Sequence, residues 1–122
     1  MKSFERADRV SGELQRAVAK ILTRRIKDPR LKSVVISGVR LSRDLRNAKV
    51  YYTMHRGDAD RIKQAAEAFG SARGYIKRSL SDYLELRYMP ELTFYYDTSF
   101  DNGFRIERLL KLVQTDHGSY HQ

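Results

Sequence analysis

The sequence predicts an α+β domain in which three strands form one small sheet covered by helices, in the order α-β-β-α-α-β-α. Three observations carry this reading. Apolar residues recur at helical spacing over residues 4–26; two alternating β-rich runs follow, joined by the short stretch RDLRN; and a third alternating run, ELTFYYDTS, arrives only after a long helical region. A chain of 122 residues with 41% hydrophobic content is the size of one domain with one core, and a second folded domain would not fit.

The first helix is set by Val10, Leu14, Ala17, Val18, Ile21 and Leu22 on one face, with Ser3 as its expected N-cap and Asp28-Pro29 as its stop. Arg6, Arg9, Arg16, Lys20, Arg24 and Lys27 fall on the other side as a basic stripe interrupted by Glu13. Arg25 falls toward the apolar side, where its stem can pack while its head reaches water. The runs SVVISGVRLS and NAKVYYTMHR then pair as a hairpin. In the second run Ala48, Val50, Tyr52 and Met54 alternate against Lys49, Tyr51, Thr53 and His55. Gly38 marks a bulge or a close backbone approach, and the turn carries Arg43 and Arg46 beside Lys49.

From Asp58 the helical period returns with Ile62, Ala65, Ala66 and Phe69 on one side. A further helical pattern, Ile76, Leu80, Tyr83 and Leu84, ends before Pro90. In the third strand Leu92, Phe94 and Tyr96 alternate against Thr93, Tyr95 and Asp97. Asp101 is the expected cap of a last helix with Ile106, Leu109, Leu110 and Val113 on its apolar side. Residues 1–113 are expected to form the single domain and residues 114–122 a flexible polar tail.

Charge narrows the function. There are 24 Lys and Arg against 15 Asp and Glu, a net +9, and residues 1–56 hold 15 of the basic and only 5 of the acidic groups. One part of the molecule carries a positive field suited to a polyanion, although a generally basic soluble surface gives the same composition. The absence of Cys excludes a disulfide framework, a thiolate metal site and a thiol nucleophile. No apolar run approaches a membrane span and the opening MKSFERADRV lacks the apolar core of a signal peptide, so a soluble cytoplasmic monomer with no membrane partner is expected.

The stretch GSARGYIKRSL, residues 70–80, joins the two middle helical patterns. Gly70 and Gly74 each weaken a helix by roughly 1 kcal/mol relative to Ala, so a kink or tight turn is expected between two helices. A helix restarting near Gly74 would present free N–H groups to an anion, with Arg73, Lys77 and Arg78 adding charge. The competing reading is helix packing through small residues. Two helices meeting at a glycine-bearing turn between strands resemble the KH arrangement, whose GXXG loop clamps single-stranded RNA; here three residues separate the glycines, so that clamp is not literal.

At this point the resemblance becomes specific. RVSGELQRAVAKIL in the first helix, DPRL after it, LSRDLRNAKVYYT across the hairpin and PELTFYYDTSFDNGFRIERLL at the end are similar to the ribosome-binding factor A family over nearly the whole chain. That resemblance implies a KH-like (type II) fold in which an Ala-x-Gly helix-kink-helix replaces the GXXG loop, matched by Ala72-Arg73-Gly74. It also implies binding to the small (30S) ribosomal subunit and its 16S ribosomal RNA during late maturation, support of precursor processing, and a role heightened in the cold. It leaves room for an assembly GTPase as a helper. The expected RNA-contacting residues rank as Ala72, Arg73, Gly74, Lys77 and Arg78 first; Arg43, Arg46 and Lys49 second; and Arg6, Arg9, Arg16 and Lys20 third.

Other chemistries find less support. A nuclease would need convergent carboxylates, and Asp97 with Asp101 or Asp58 with Asp60 are the compact candidates, better explained as caps and turns. His117 and His121 lie in the tail without a third ligand and His55 is isolated, so no metal, cofactor or nucleophile is assigned. Tyr51, Tyr52, Phe94, Tyr95 and Tyr96 could stack bases, but alternate strand aromatics are more often core. A helix-turn-helix with residues 75–87 as recognition helix is opposed by the inward commitment of Ile76, Leu80, Tyr83 and Leu84. A non-enzymatic RNA-binding assembly factor is the expectation, with an RNA-processing nuclease or a generic basic nucleic-acid-binding protein as alternatives.

Overall fold

The computed structural model describes residues 2–55 and 57–99. The last expected helix, the tail, and with them Asp101, His117 and His121, lie outside the described residues. Helix α1 spans Lys2–Arg24, strand β1 Val34–Leu41, strand β2 Asn47–Met54, helix α2 Ala59–Ser79 and strand β3 Glu91–Tyr96. Short 3-10 turns occupy Pro29–Leu31 and Leu80–Asp82.

Helix α1 forms because Ala7, Val10, Leu14, Ala17, Val18 and Ile21 all land on one stripe, each no more than 4% exposed. Burying each of the larger ones contributes about 1.5–3 kcal/mol, so tertiary packing of this face rather than propensity supplies most of the helix's stability. It starts at Lys2, so Ser3 is a helical residue rather than its cap. The chain then stops where expected: Asp28 accepts the Arg30 N–H at 2.9 Å and caps the 3-10 turn, with Pro29 at its first position.

Strands β1 and β2 are antiparallel, and β3 lies parallel to β2 at the other edge, so the sheet order is β1-β2-β3. Ala48, Val50, Tyr52 and Met54 are buried, as the period of two requires. The register slips between Ile36 and Gly38, which makes Ser37 the extra residue of a bulge at the expected glycine. In the hairpin turn Leu45 takes a left-handed conformation (φ 61°), held by its N–H donating to the Ser42 carbonyl and by Asp44, which accepts from Ser42 Oγ and the Arg46 N–H.

Helix α2 is the α crossover between parallel β2 and β3. Asp58 caps it, its carboxylate accepting the Arg61 N–H at 2.8 Å. Here the structure corrects the sequence reading: α2 runs without a break through Gly70 and Gly74, and no second helix restarts there. The pattern from Leu80 to Leu84 is a single 3-10 turn and its exit rather than a helix. Burial explains the difference. Ala65, Ala68, Phe69 and Ile76 are buried along α2, and the two large ones alone contribute more than the roughly 2 kcal/mol cost of two glycines. Ala68, not Ala66, faces the core; Ala66 is exposed.

One core joins both helices to one face of the sheet, with Leu14, Val18 and Ile21 of α1, Phe69 and Ile76 of α2, and Val50, Tyr52 and Leu92 of the strands at its centre. Phe69 stacks on Phe94 (ring centroids 4.3 Å apart) and tilts against Tyr52 (4.6 Å), while Tyr96 meets Tyr52 edge-on. No described helix is long and apolar enough to cross a membrane.

Candidate functional site

Strand register brings the first two groups of expected RNA-contacting residues together. Asn47 pairs with Glu91 and Lys49 with Thr93, so the hairpin turn and the start of β3 share one end of the sheet. The Glu91 N–H donates to the Arg46 carbonyl at 2.8 Å. Across from it, the last turns of α2 deliver Lys77, whose ammonium pairs with the Glu91 carboxylate. That bond, reinforced by the charge of Arg73, holds the Glu91 carboxyl below its usual range. Lys77 and Arg73 therefore act on one carboxylate that the sequence reading did not single out, at the end of the sheet that also carries Arg46 and Lys49. Glu91 opens the strand directly after Pro90, and only the β2–β3 pairing reveals what it faces.

Glycine positions on α2 are informative by what they do not touch. Gly70 and Gly74 are both exposed and neither has a positive φ. A Cβ at Gly70 would meet nothing within 4 Å; at Gly74 it would meet only the Arg78 guanidinium, 3.3 Å away, folded back over it by the i to i+4 geometry of the helix. Helix packing through small residues is thus not their role in the described chain. They leave bare backbone on the solvent side of α2, flanked by exposed Arg73 and Arg78, while Ala72 is half-buried against the core. The expected free N–H groups at Gly74 are absent, since the helix continues; these cations sit near its C-terminal end, where they complement the dipole, and attraction for an anion comes from side chains.

The turn adds exposed Arg43 and Arg46. Between it and α2, Arg46, Tyr88, Met89 and Glu91 line a shallow cavity of about 300 Å³, with the Arg87 guanidinium over the exposed Tyr88 ring. The first-helix stripe divides. The Leu41 N–H donates to Ser11 Oγ at 3.2 Å, anchoring the N-terminal half of α1 beside the hairpin turn and placing exposed Arg6 and Arg9 toward the same end of the sheet. Arg16 and Lys20 lie farther along, beside Tyr83 and Leu84. Arg25 pairs with Asp82 at 2.6 Å and sits over the Tyr83 ring, so it ties α1 to the exit of α2.

Two of the carboxylates weighed for a nuclease, Asp58 and Asp97, have structural partners. Asp58 is the α2 cap, and Asp97 accepts from Ser37 Oγ (2.8 Å), Ser99 Oγ (2.6 Å) and the Ser99 N–H (3.0 Å), bonds that depress its pKa. Among the described residues no group of three His, Asp or Glu is arranged to hold a metal ion.

The fold and its exposed side chains define a small α+β domain with a cationic surface at one end of its sheet. Comparison with known proteins places it further. Residues 6–110 match the family described as ribosome-binding factor A. The chain is 47% identical over 113 residues to ribosome-binding factor A of Desulfatibacillum aliphaticivorans, covering 93% of this chain and 91% of that one, and 40% identical over 115 residues to that of Geobacter sp. (strain M21), covering 93% and 96%. It belongs to the ribosome-binding factor A family.

Solved structures agree. The crystal structure of ribosome-binding factor A from Thermus thermophilus superposes with a TM-score of 0.66 at 27% identity, over 74% of this chain and 93% of that one. The solution structure of a putative ribosome binding factor A of Thermotoga maritima gives 0.67 at 31%, over 77% and 89%. A homology model of the Thermus thermophilus protein, fitted into a cryo-EM map of a 30S-RbfA complex, gives 0.60 at 27%, over 72% and 91%.

Proposed function

We propose that this chain is a non-enzymatic, cytoplasmic assembly factor that binds the free small (30S) ribosomal subunit through its 16S ribosomal RNA and supports late maturation and precursor processing. It acts as a monomer with a KH-like (type II) fold, alongside an assembly GTPase. The observation that carries the reading is the pair of exposed glycines on α2, which cost helix stability without a packing reason among the described residues, set beside Arg73, Arg78 and the turn cations. Bare helix backbone lets a phosphodiester strand approach closely, and the cations neutralise its phosphates with release of counterions. The 30S complex into which the Thermus thermophilus relative was fitted supports the choice of subunit.

The test is co-sedimentation of the purified chain with isolated small and large subunits as salt is varied, comparing it with the Arg73→Glu/Arg78→Glu variant. Lys77 is left intact, because reversing it would set two carboxylates against each other at Glu91. Selective retention on small subunits, weakened in the variant with a salt dependence flatter by about 0.7–0.9 per lost phosphate contact, is expected. Equal retention on both subunits, lost in parallel as salt rises, would reduce the activity to general basicity. Unchanged affinity in the variant would remove α2 from the site.

A further inference from the structure

Helices α1 and α2 pack on one face of the sheet, and the opposite face has its own organisation. The register sets four rows across it: Asn47 and Glu91 at the turn end; then Arg40, Lys49 and Thr93; then Gly38, Tyr51 and Tyr95; then Val35 and Thr53. The aromatics weighed from the sequence divide accordingly. Tyr52, Phe94 and Tyr96 pack with the core, whereas Tyr51 and Tyr95 point outward with ring centroids 5.7 Å apart and planes 29° from parallel, and Tyr95 is 43% exposed. Gly38, beside Tyr51 in the bulge, has no positive φ, and a Cβ there would meet nothing within 4 Å. The rings are therefore flanked on one side by bare backbone.

We propose that this face is a stacking platform for single-stranded RNA, with unpaired bases on Tyr51 and Tyr95 and the strand's phosphates on Arg40 and Lys49. Each base has a π-face that an aromatic ring can take regardless of sequence, and the cation row lies two residues, or about 7 Å, along the strands from the rings. Charge sets the direction. Asp97 stands at the far end, held by Ser37 and Ser99, whereas at the turn end Arg40, Arg43, Arg46 and Lys49 outnumber Asp44 and the Lys77-paired Glu91, so the strand is drawn toward the turn. Arg46 at the turn lines a cavity with Glu91, which pairs with Lys77 of α2, so the turn joins the platform's edge to the α2 site. The rows are mostly polar, cationic and aromatic, with Val35 the sole aliphatic side chain named in them, which fits a polyanion rather than the apolar stripe of an amphipathic helix. The proposal rests on the preceding reading only for the choice of RNA as the strand.

The experiment is fluorescence anisotropy of the full chain with a labelled ten-nucleotide single-stranded RNA and with an abasic strand of the same length, for Tyr51→Leu, Tyr95→Leu and Tyr95→Phe. Stacking predicts that each Leu substitution weakens binding by about tenfold, that Tyr95→Phe binds as the parent does, and that the abasic strand binds weakly and is indifferent to all three. Parental affinity in the Leu variants, equal losses for Leu and Phe, or parental affinity for the abasic strand would each overturn it. So would a shift in thermal midpoint or sedimentation with no change in RNA affinity, which would mean that residues 100–122 or a second copy covers this face. Failure here leaves any dependence of small-subunit retention on Arg73 and Arg78 in place, whereas failure of the small-subunit reading leaves the Tyr dependence on free RNA, so the two are separable.

Discussion

Changing Glu91 to Gln tests whether the cationic cluster is held in check by its own counterion. In the folded chain the Lys77 ammonium pairs with the Glu91 carboxylate, and Arg73 adds its field to the same group. A phosphate arriving at this end must displace that carboxylate from Lys77 and bear its repulsion. The Glu91 pKa is displaced downward, so the carboxyl is fully ionised at neutral pH and the pair breaks only on acidification below the ordinary carboxylate range. The amide replacement therefore exposes one additional full cation at neutral pH. On single-stranded RNA each neutralised phosphate contributes a slope of about −0.7 in log affinity against log salt. Between 50 and 200 mM salt, one extra contact changes affinity by about 2.6-fold, so the ratio of variant to parent affinity should be larger by that factor at about 50 mM than at 200 mM. Anisotropy titrations on one RNA at both salts measure it directly. The thermal midpoint should hardly move, because Glu91 is exposed and such pairs are screened. A ratio of one at both salts, or weaker binding by the variant, would refute the view that Glu91 competes with phosphate.

The uninterrupted α2 makes its own prediction. Gly70→Ala should raise stability by up to about 1 kcal/mol, since a Cβ there meets open space and Ala is the better helix former, while weakening RNA binding by keeping the strand off the backbone. Loss of stability in chemical denaturation would mean that α2 is interrupted there in solution. Phe69→Ala removes the ring packed between Tyr52 and Phe94 and should cost about 3–5 kcal/mol, read as a lower urea midpoint at unchanged slope; a loss under about 1 kcal/mol would contradict the burial of that ring.

The parts legible in the sequence are those governed by a local period. The alternation in NAKVYYTM holds because one side of β2 is buried and a slip of one residue would reverse every side chain, so burial pattern and register fix each other. The bulge at Gly38, the stop at Asp28-Pro29 and the start of α2 at Asp58 are legible for the same reason: each is a short-range device with its own residue type. The glycines of α2 mislead because propensity is a local quantity, whereas Phe69 and Ile76 draw their stability from strands that lie far along the chain.

The composition of the site is hidden more deeply, because it depends on strand order. Arg46 and Lys77 are distant in sequence, and nothing in either segment requires them to meet. Both reach Glu91 because β3 pairs in parallel with β2, which sets that first residue opposite Asn47 at the hairpin turn, while the last turns of α2 bring Lys77 to its carboxylate. The same pairing turns Tyr51 and Tyr95 outward as neighbours and sends Tyr52 and Tyr96 inward. Had β3 been shifted by one residue, Tyr95 would face Phe69 and the outer rings would be lost. The parallel register that completes the core therefore also determines which aromatics and which cations a strand of RNA can reach, so a substitution that shifts β3 should impair folding and both proposed contact surfaces together.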